Sequence, residues 1–234
     1  MATRNDAAVV GTFAVQRSIL KNVYLWMTAG LAITGVVAFY IASNTQIVQA
    51  LATQPFLFFA LVIAEFGLVF FLTARLHTMS PGAATLGFAA YAVLNGVTLS
   101  LIFVAYTGAS IARAFFVAAA TFGVMSVWAM TTKKDLTRMG NYLFMGLVGI
   151  IIASLVNMFL RSSGLDWLIS FVGVFLFLGL TAYDTQIIQR WSRELGDSVG
   201  EADYMRVSIM GALKLYLDFI NLFLFLLRFL GRRN

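Results

Sequence analysis

The chain has 234 residues, of which 61% are hydrophobic and 11% charged, against roughly 45–50% and 25% in soluble domains, so a water-soluble globular surface is excluded. Its formal charge of +6 is scattered, with no aromatic and basic surface segment outside the apolar runs, which argues against a nucleic-acid partner. The absence of cysteine excludes disulfides, thiolate catalysis and cysteine-ligated metals, and the single histidine, His77, excludes a His-pair metal motif.

Residues 1–21 carry Arg4, Asp6, Arg17 and Lys21, and Gly11 and Thr12 interrupt the apolar patch between them. A signal peptide needs a longer unbroken core and a small-residue cleavage site, so this segment reads as a short cytoplasmic tail lying on the membrane surface. Apolar runs follow near residues 22–43, 54–74, 83–106, 111–131, 142–161, 165–189 and 207–230. Each has the roughly 20 residues that a helix needs to cross a hydrocarbon core. None alternates with the period of two that marks a barrel strand, and backbone groups in lipid must pair internally, so the spans are helices. The expected fold class is all-α: a polytopic membrane protein with a single seven-helix domain over 22–230 and a C-terminal tail at 231–234. The connections are short, except for a longer polar one from Arg190 to Arg206, so consecutive helices are antiparallel neighbours.

Basic residues are unequally divided. The N-terminal tail and loops two, four and six hold ten: Arg4, Arg17, Lys21, Arg75, Lys133, Lys134, Arg138, Arg190, Arg193 and Arg206. The other side holds five: Arg113, Arg161, Arg228, Arg232 and Arg233. This bias puts the N-terminus in the cytoplasm. Seven spans then carry the C-terminus outside, against the pull of its three arginines, which a re-entrant last segment would return to the cytoplasm.

Three acids sit within the apolar runs: Glu65, Asp184 and Asp218. An ionisable group in hydrocarbon is expensive and marks a functional site by default. Asp184 is six residues before Arg190 and Asp218 twelve after Arg206, about 9 and 18 Å from the same face at 1.5 Å per residue. Glu65 falls near mid-bilayer by the same arithmetic. If Asp184 and Asp218 meet, low dielectric forbids two adjacent negative charges, so they share a proton and titrate as a unit. Protonated, they clasp spans six and seven; doubly ionised, they part and expose oxygen ligands suited to a hard cation such as calcium. The competing reading is structural, with Asp184 bonded to loop backbone or water and Asp218 neutralised by Lys214 one turn earlier. Glu65 likewise has a structural alternative, satisfying a buried amide or arginine.

Arg75 closes span two, either as a snorkelling anchor or as an alternative partner of Asp184 in one gating state. His77 reads as a solvated loop residue. Asn95, Thr98, Ser100, Ser126, Ser154, Asn157 and Asn221 read mainly as helix-packing polar groups, and Trp26, Trp128 and Trp167 as interface anchors.

Four stretches resemble the Bax-inhibitor family, the transmembrane Bax inhibitor motif proteins: Asn95–Phe103, Thr121–Leu136, Thr181–Gln186 (TAYDTQ) and Ala212–Arg228 (ALKLYLDFINLFLFLLR). The last is the most specific, and the first two spans match only in hydrophobicity and layout. The resemblance implies a bacterial-type member acting as a pH-sensitive calcium leak channel. Its aspartate pair on the last two helices matches Asp184 and Asp218, with Glu65 and Arg75 matching a helix-two glutamate and a helix-end arginine. Eukaryotic members are associated with suppression of cell death. The implied location is the bacterial inner membrane, with lipid, calcium ions and protons as partners, other membrane proteins as possible ones, and no cofactor.

The main alternative is a proton-coupled cation antiporter using the same carboxylates, which inverted repeats or broken helices would favour; the sequence shows neither. A third class is an interaction protein that modulates other membrane proteins. An intramembrane aspartyl protease would use a Tyr-Asp pair like Tyr183-Asp184, but needs a Gly-x-Gly-Asp turn where this chain has Leu215-Tyr216-Leu217-Asp218. Serine and zinc peptidase chemistry lack an intramembrane histidine. No enzymatic activity is expected.

Overall fold

The computed structural model describes residues 4–195 and 200–232, with side chains from Ile19 onward. The helices are α1 (Arg4–Ala42), α2 (Thr45–Thr53), α3 (Pro55–Arg75), α4 (Pro81–Leu99), α5 (Ile102–Ala105), α6 (Gly108–Thr131), α7 (Gly140–Leu160), α8 (Ser163–Leu195) and α9 (Glu201–Leu230), with a 3₁₀ turn at Thr137–Met139. Among the described residues seven stretches are long and apolar enough to span a bilayer: Ile19–Ala42, Pro55–Arg75, Pro81–Ala105, Gly108–Thr131, Thr137–Leu160, Ser163–Leu195 and Glu201–Leu230. All seven expected spans form.

Their starts follow local chemistry. Pro55 and Pro81 open α3 and α4, where a missing N–H costs nothing. Ser80 caps α4 by accepting from Ala83 N at 3.3 Å, and Thr107 caps α6 by accepting from Ser110 N at 3.3 Å. Arg161 ends α7 in the left-handed region, at φ 51°.

Three expectations need correction, on loop one, loop six and the third span. The segment read as an N-terminal tail is helical from Arg4 and continues unbroken into the first span, because no proline stops it; residues 1–3 lie outside the described residues. Loop one contains α2, nucleated by Asn44, whose side chain accepts from Gln46 N and Ile47 N at 3.1 and 3.2 Å. Loop six is mostly helix. Its polar residues, read as a linker, continue α8 through an Arg190–Glu194 pair at 3.0 Å and begin α9 with Glu201 and Asp203 at the positive end of the helix dipole.

The third span is not a continuous helix. It turns at Ser100–Leu101 before α5, where Ser100 Oγ donates to Val97 O at 2.6 Å and draws that carbonyl from the ladder. The last span is not re-entrant: α9 is one helix from Glu201 to Leu230.

The described chain forms two compact units: one of the residues up to Ala105 with Arg190–Tyr216, and one of Tyr106–Gln189 with Leu217 onward. In the first, Thr34 on α1 donates to Ala92 O on α4 at 2.8 Å and lies 2.7 Å from the Tyr216 hydroxyl. Since Thr34 has one proton and gives it to Ala92, Tyr216 is the donor in their bond. In the second, Phe115 and Phe122 of α6 set their rings edge-on to Phe219 of α9 at 5.6 and 5.5 Å. The chain end closes on the start of α6, with Arg232 N donating to Ser110 Oγ at 2.9 Å.

Candidate functional site

Asp184 and Asp218 both lie in the second unit and both are buried, at 5% and 4% exposure. Asp184 falls in a buried stripe of α8 with Phe177, Thr181 and Ile188, residues recurring at helical spacing. Asp218 stands between Leu215 and Leu222 on α9, both fully buried. α9 is the most enclosed helix: 78% of its apolar window is buried, against 6–33% in the other six spans. An acid on this helix is therefore surrounded by protein rather than facing lipid.

With α8 continuing to Leu195, Asp184 lies eleven residues (195 − 184) before the helix end, about 16 Å along the axis. Measured the same way, Asp218 lies seventeen residues (218 − 201) after the start of α9, about 26 Å along the axis, so the offset of about 9 Å expected between the two acids is unchanged. α9 is unbroken through Asp218, so the chain lacks the turn an aspartyl protease needs at its second aspartate. Lys214 stacks its ammonium over the Trp191 ring at 6.0 Å.

Glu65 and Arg75 belong to the first unit, ten residues apart on α3. The Thr98 hydroxyl of α4 engages the Glu65 carboxyl, and Tyr91 and Tyr216 lie within its electrostatic reach. Its Oε1 is shielded from solvent and has no hydrogen-bond partner. α2 and α4, two helices packed on α3, carry no charged side chain. Arg75 is exposed in the last turn of α3, and its carbonyl accepts from Thr78 N at 2.9 Å and Met79 N at 3.1 Å, which ends the helix. His77 is exposed.

Among the polar residues, Asn221 donates to Leu217 O at 2.8 Å within its own helix, and Asn157 Oδ1 accepts from Ser162 N at 3.0 Å to close α7. These are structural bonds. Asn95 Oδ1 and Ser126 Oγ are buried and without a hydrogen-bond partner. Among the described residues no three of His, Cys, Asp and Glu cluster where they could hold a metal ion.

One residue near Asp184 escaped the reading of the sequence. Gln186 Nε2 donates to Ala129 O at 3.2 Å and Lys134 O at 2.9 Å, while its Oε1 accepts from Leu136 N at 2.8 Å. The only signal was its place in the TAYDTQ stretch; an amide in a polar helix end is otherwise unremarked. Tyr183 packs against Gly140, where an added Cβ would lie 2.8 Å from its hydroxyl.

The family profile described as "Inhibitor of apoptosis-promoting Bax1" matches residues 16–234. The chain belongs to this Bax1-inhibitor family. The match takes in the first two spans, beyond the four stretches that carry the resemblance. The inner membrane protein YbhL of Escherichia coli K12 is 45% identical over 231 residues, covering 99% of this chain and 98% of the relative. A Borreliella burgdorferi protein is 48% identical over 220 residues, with 94% of each chain covered. The Streptococcus pyogenes membrane protein SpyM3_0260 is 38% identical over 189 residues, covering 81% of this chain and 80% of its own. This Bax1-inhibitor family member is a multi-pass integral membrane protein.

Proposed function

We propose that this protein is a pH-sensitive calcium leak channel of a bacterial inner membrane, with its N-terminus cytoplasmic and Asp184 and Asp218 as proton sensor and gate. The observation that carries this reading is the burial of two acids, at 5% and 4% exposure, on the last two spans and within one compact unit. Two carboxylates in such surroundings cannot both ionise cheaply, so a shared proton closes the path and its loss opens it. Glu65 and Arg75, in the first unit, are the further candidates for ion path or gating. The inner-membrane location draws on the name of the Escherichia coli relative.

Purified protein in liposomes loaded with calcium and pH dyes tests this. Calcium flux rises with pH, by up to about tenfold per unit for a gate governed by one proton. Asp184→Asn and Asp218→Asn each abolish that response; a response unchanged in both variants refutes the gate. The antiporter reading has one observation in its favour, the break in the third span at Ser100–Leu101, since discontinuous helices build transporter sites. A fixed ratio of protons moved per calcium selects it.

A further inference from the structure

The connection between α6 and α7 is anchored more firmly than its role as a linker requires. Gln186 holds it by three hydrogen bonds, and Leu136, 6% exposed, is buried against Ala129 and Ala182. The Lys134 amide donates to Thr132 Oγ1 at 3.3 Å. With the Lys134 carbonyl turned toward Gln186, the side chains of Lys133 and Lys134 are exposed. The acid beside them is taken: Asp135 pairs with Arg138 at 3.3 Å and accepts from Thr137 N at 3.0 Å and Thr137 Oγ1 at 2.6 Å. Among the described residues neither lysine has an ion-pair partner.

The flanks of this loop are membrane surface. Trp128, in the last turn of α6, is 42% exposed, and Tyr142, in the first turn of α7, is 76% exposed. Such rings settle at headgroup level. Val124 and Val127 on α6 and Met145 on α7 continue the exposed apolar surface into the span.

We propose that Lys133 and Lys134 bind the phosphate of an anionic phospholipid whose acyl chains lie along the exposed faces of α6 and α7. Two adjacent ammonium groups with no protein counter-charge match a phosphodiester. The aromatic pair marks the depth at which that phosphate sits. Because Gln186 has already ordered the loop, binding pays little further backbone entropy. Gln186 also stands two residues after Asp184, so the bound lipid holds the loop that α8 holds. The site requires no ion conduction, and its test reads lipid alone.

The full chain with Trp26, Trp167 and Trp191 replaced by Phe leaves Trp128 as the reporter. In phosphatidylcholine vesicles containing phosphatidylglycerol, the bromine label is placed on the acyl chains of one lipid or the other. Brominated phosphatidylglycerol should quench Trp128 with at least about fivefold higher relative affinity than brominated phosphatidylcholine, the preference one lysine near the surface confers. Lys133→Gln with Lys134→Gln brings the ratio to about one, whereas Arg138→Gln leaves it unchanged because Asp135 already neutralises that charge. Gln186→Ala lowers the ratio although both lysines remain. Native mass spectrometry of the unmodified chain with the two lipids reads the same preference independently of the tryptophan replacements. Equal quenching by both lipids, or an equal effect of Arg138→Gln and Lys133→Gln, overturns the site in favour of diffuse surface charge. Displacement of the lipid by millimolar inorganic phosphate overturns it in favour of a simple anion site.

Discussion

Asp135 shows how one exposed side chain makes a contact in the loop before α7 depend on pH. The Thr137 hydroxyl, then the Thr137 amide, and the neighbouring Arg138 hold its carboxyl below the usual carboxylate range. A carboxyl depressed in the folded state stabilises that state above its unfolded pKa and loses the contribution as pH falls through the lowered value. The loop therefore persists through mild acid, and protection of the Thr137 amide from hydrogen exchange, corrected for intrinsic rate, falls only in stronger acid. Loss of protection already in mild acid would show that the Asp135 carboxyl is not held below its usual range. Arg161 is a second residue whose conformation carries a cost, since a side chain at φ 51° crowds its own carbonyl. Arg161→Gly should raise stability by about 1 kcal/mol, seen as a higher midpoint of thermal unfolding in detergent. Asp184 and Asp218 were legible because a charge within an apolar run stands out in any reading. Gln186 was not, because its role depends on backbone groups about fifty residues away that a linear sequence does not bring together.

Helix existence followed from hydropathy, but helix ends did not, because a polar helix outside the membrane has the composition of a loop. Residues 190–195 and 201–206 are helical through ion pairs at i, i+3 and i, i+4, with Arg206 also donating to Met79 O at 2.7 Å. The turn at Ser100 escaped for a different reason: serine within a span is common, and only its bond to Val97 O distinguishes a break from a bend. Packing between α1 and α4 is equally hidden in sequence, where Gly35 and Gly96 look alike. An added Cβ at Gly96 would lie 2.8 Å from the Thr34 carbonyl and from Val37 Cβ, whereas Gly35 has nothing within 4 Å. A backbone carbonyl cannot swing aside, so α1 must shift. Gly96→Ala should destabilise by about 1–3 kcal/mol, while Gly35→Ala stabilises by about 0.5–1 kcal/mol through helix propensity alone. Unfolding midpoints of the two variants in one detergent compare them directly, and equal midpoints would remove the close approach of α1 to α4.

At the scale of the molecule, the open conflict in the sequence was the side occupied by the C-terminus. The continuity of α9 bears on it: 30 residues at 1.5 Å each reach about 45 Å, enough to cross a core of about 30 Å and project beyond it. The projecting turns are the charged ones at Glu201–Arg206, which suits the cytoplasmic end of the helix. At the other end Arg228 lies 3.5 Å from Asp166 in the first turn of α8 and 5.6 Å from the Phe225 ring, so it has partners without returning to the cytoplasm. If all seven candidate spans cross, the two ends of the chain lie on opposite sides, and the cytoplasmic N-terminus expected from the ten-to-five division of basic residues puts Asn234 outside. Fused after Asn234, alkaline phosphatase should be active and green fluorescent protein dark, while the same reporters inserted at Lys133 give the reverse. A fluorescent fusion at Asn234 would mean either seven crossings with the N-terminus outside or an even number with it in the cytoplasm.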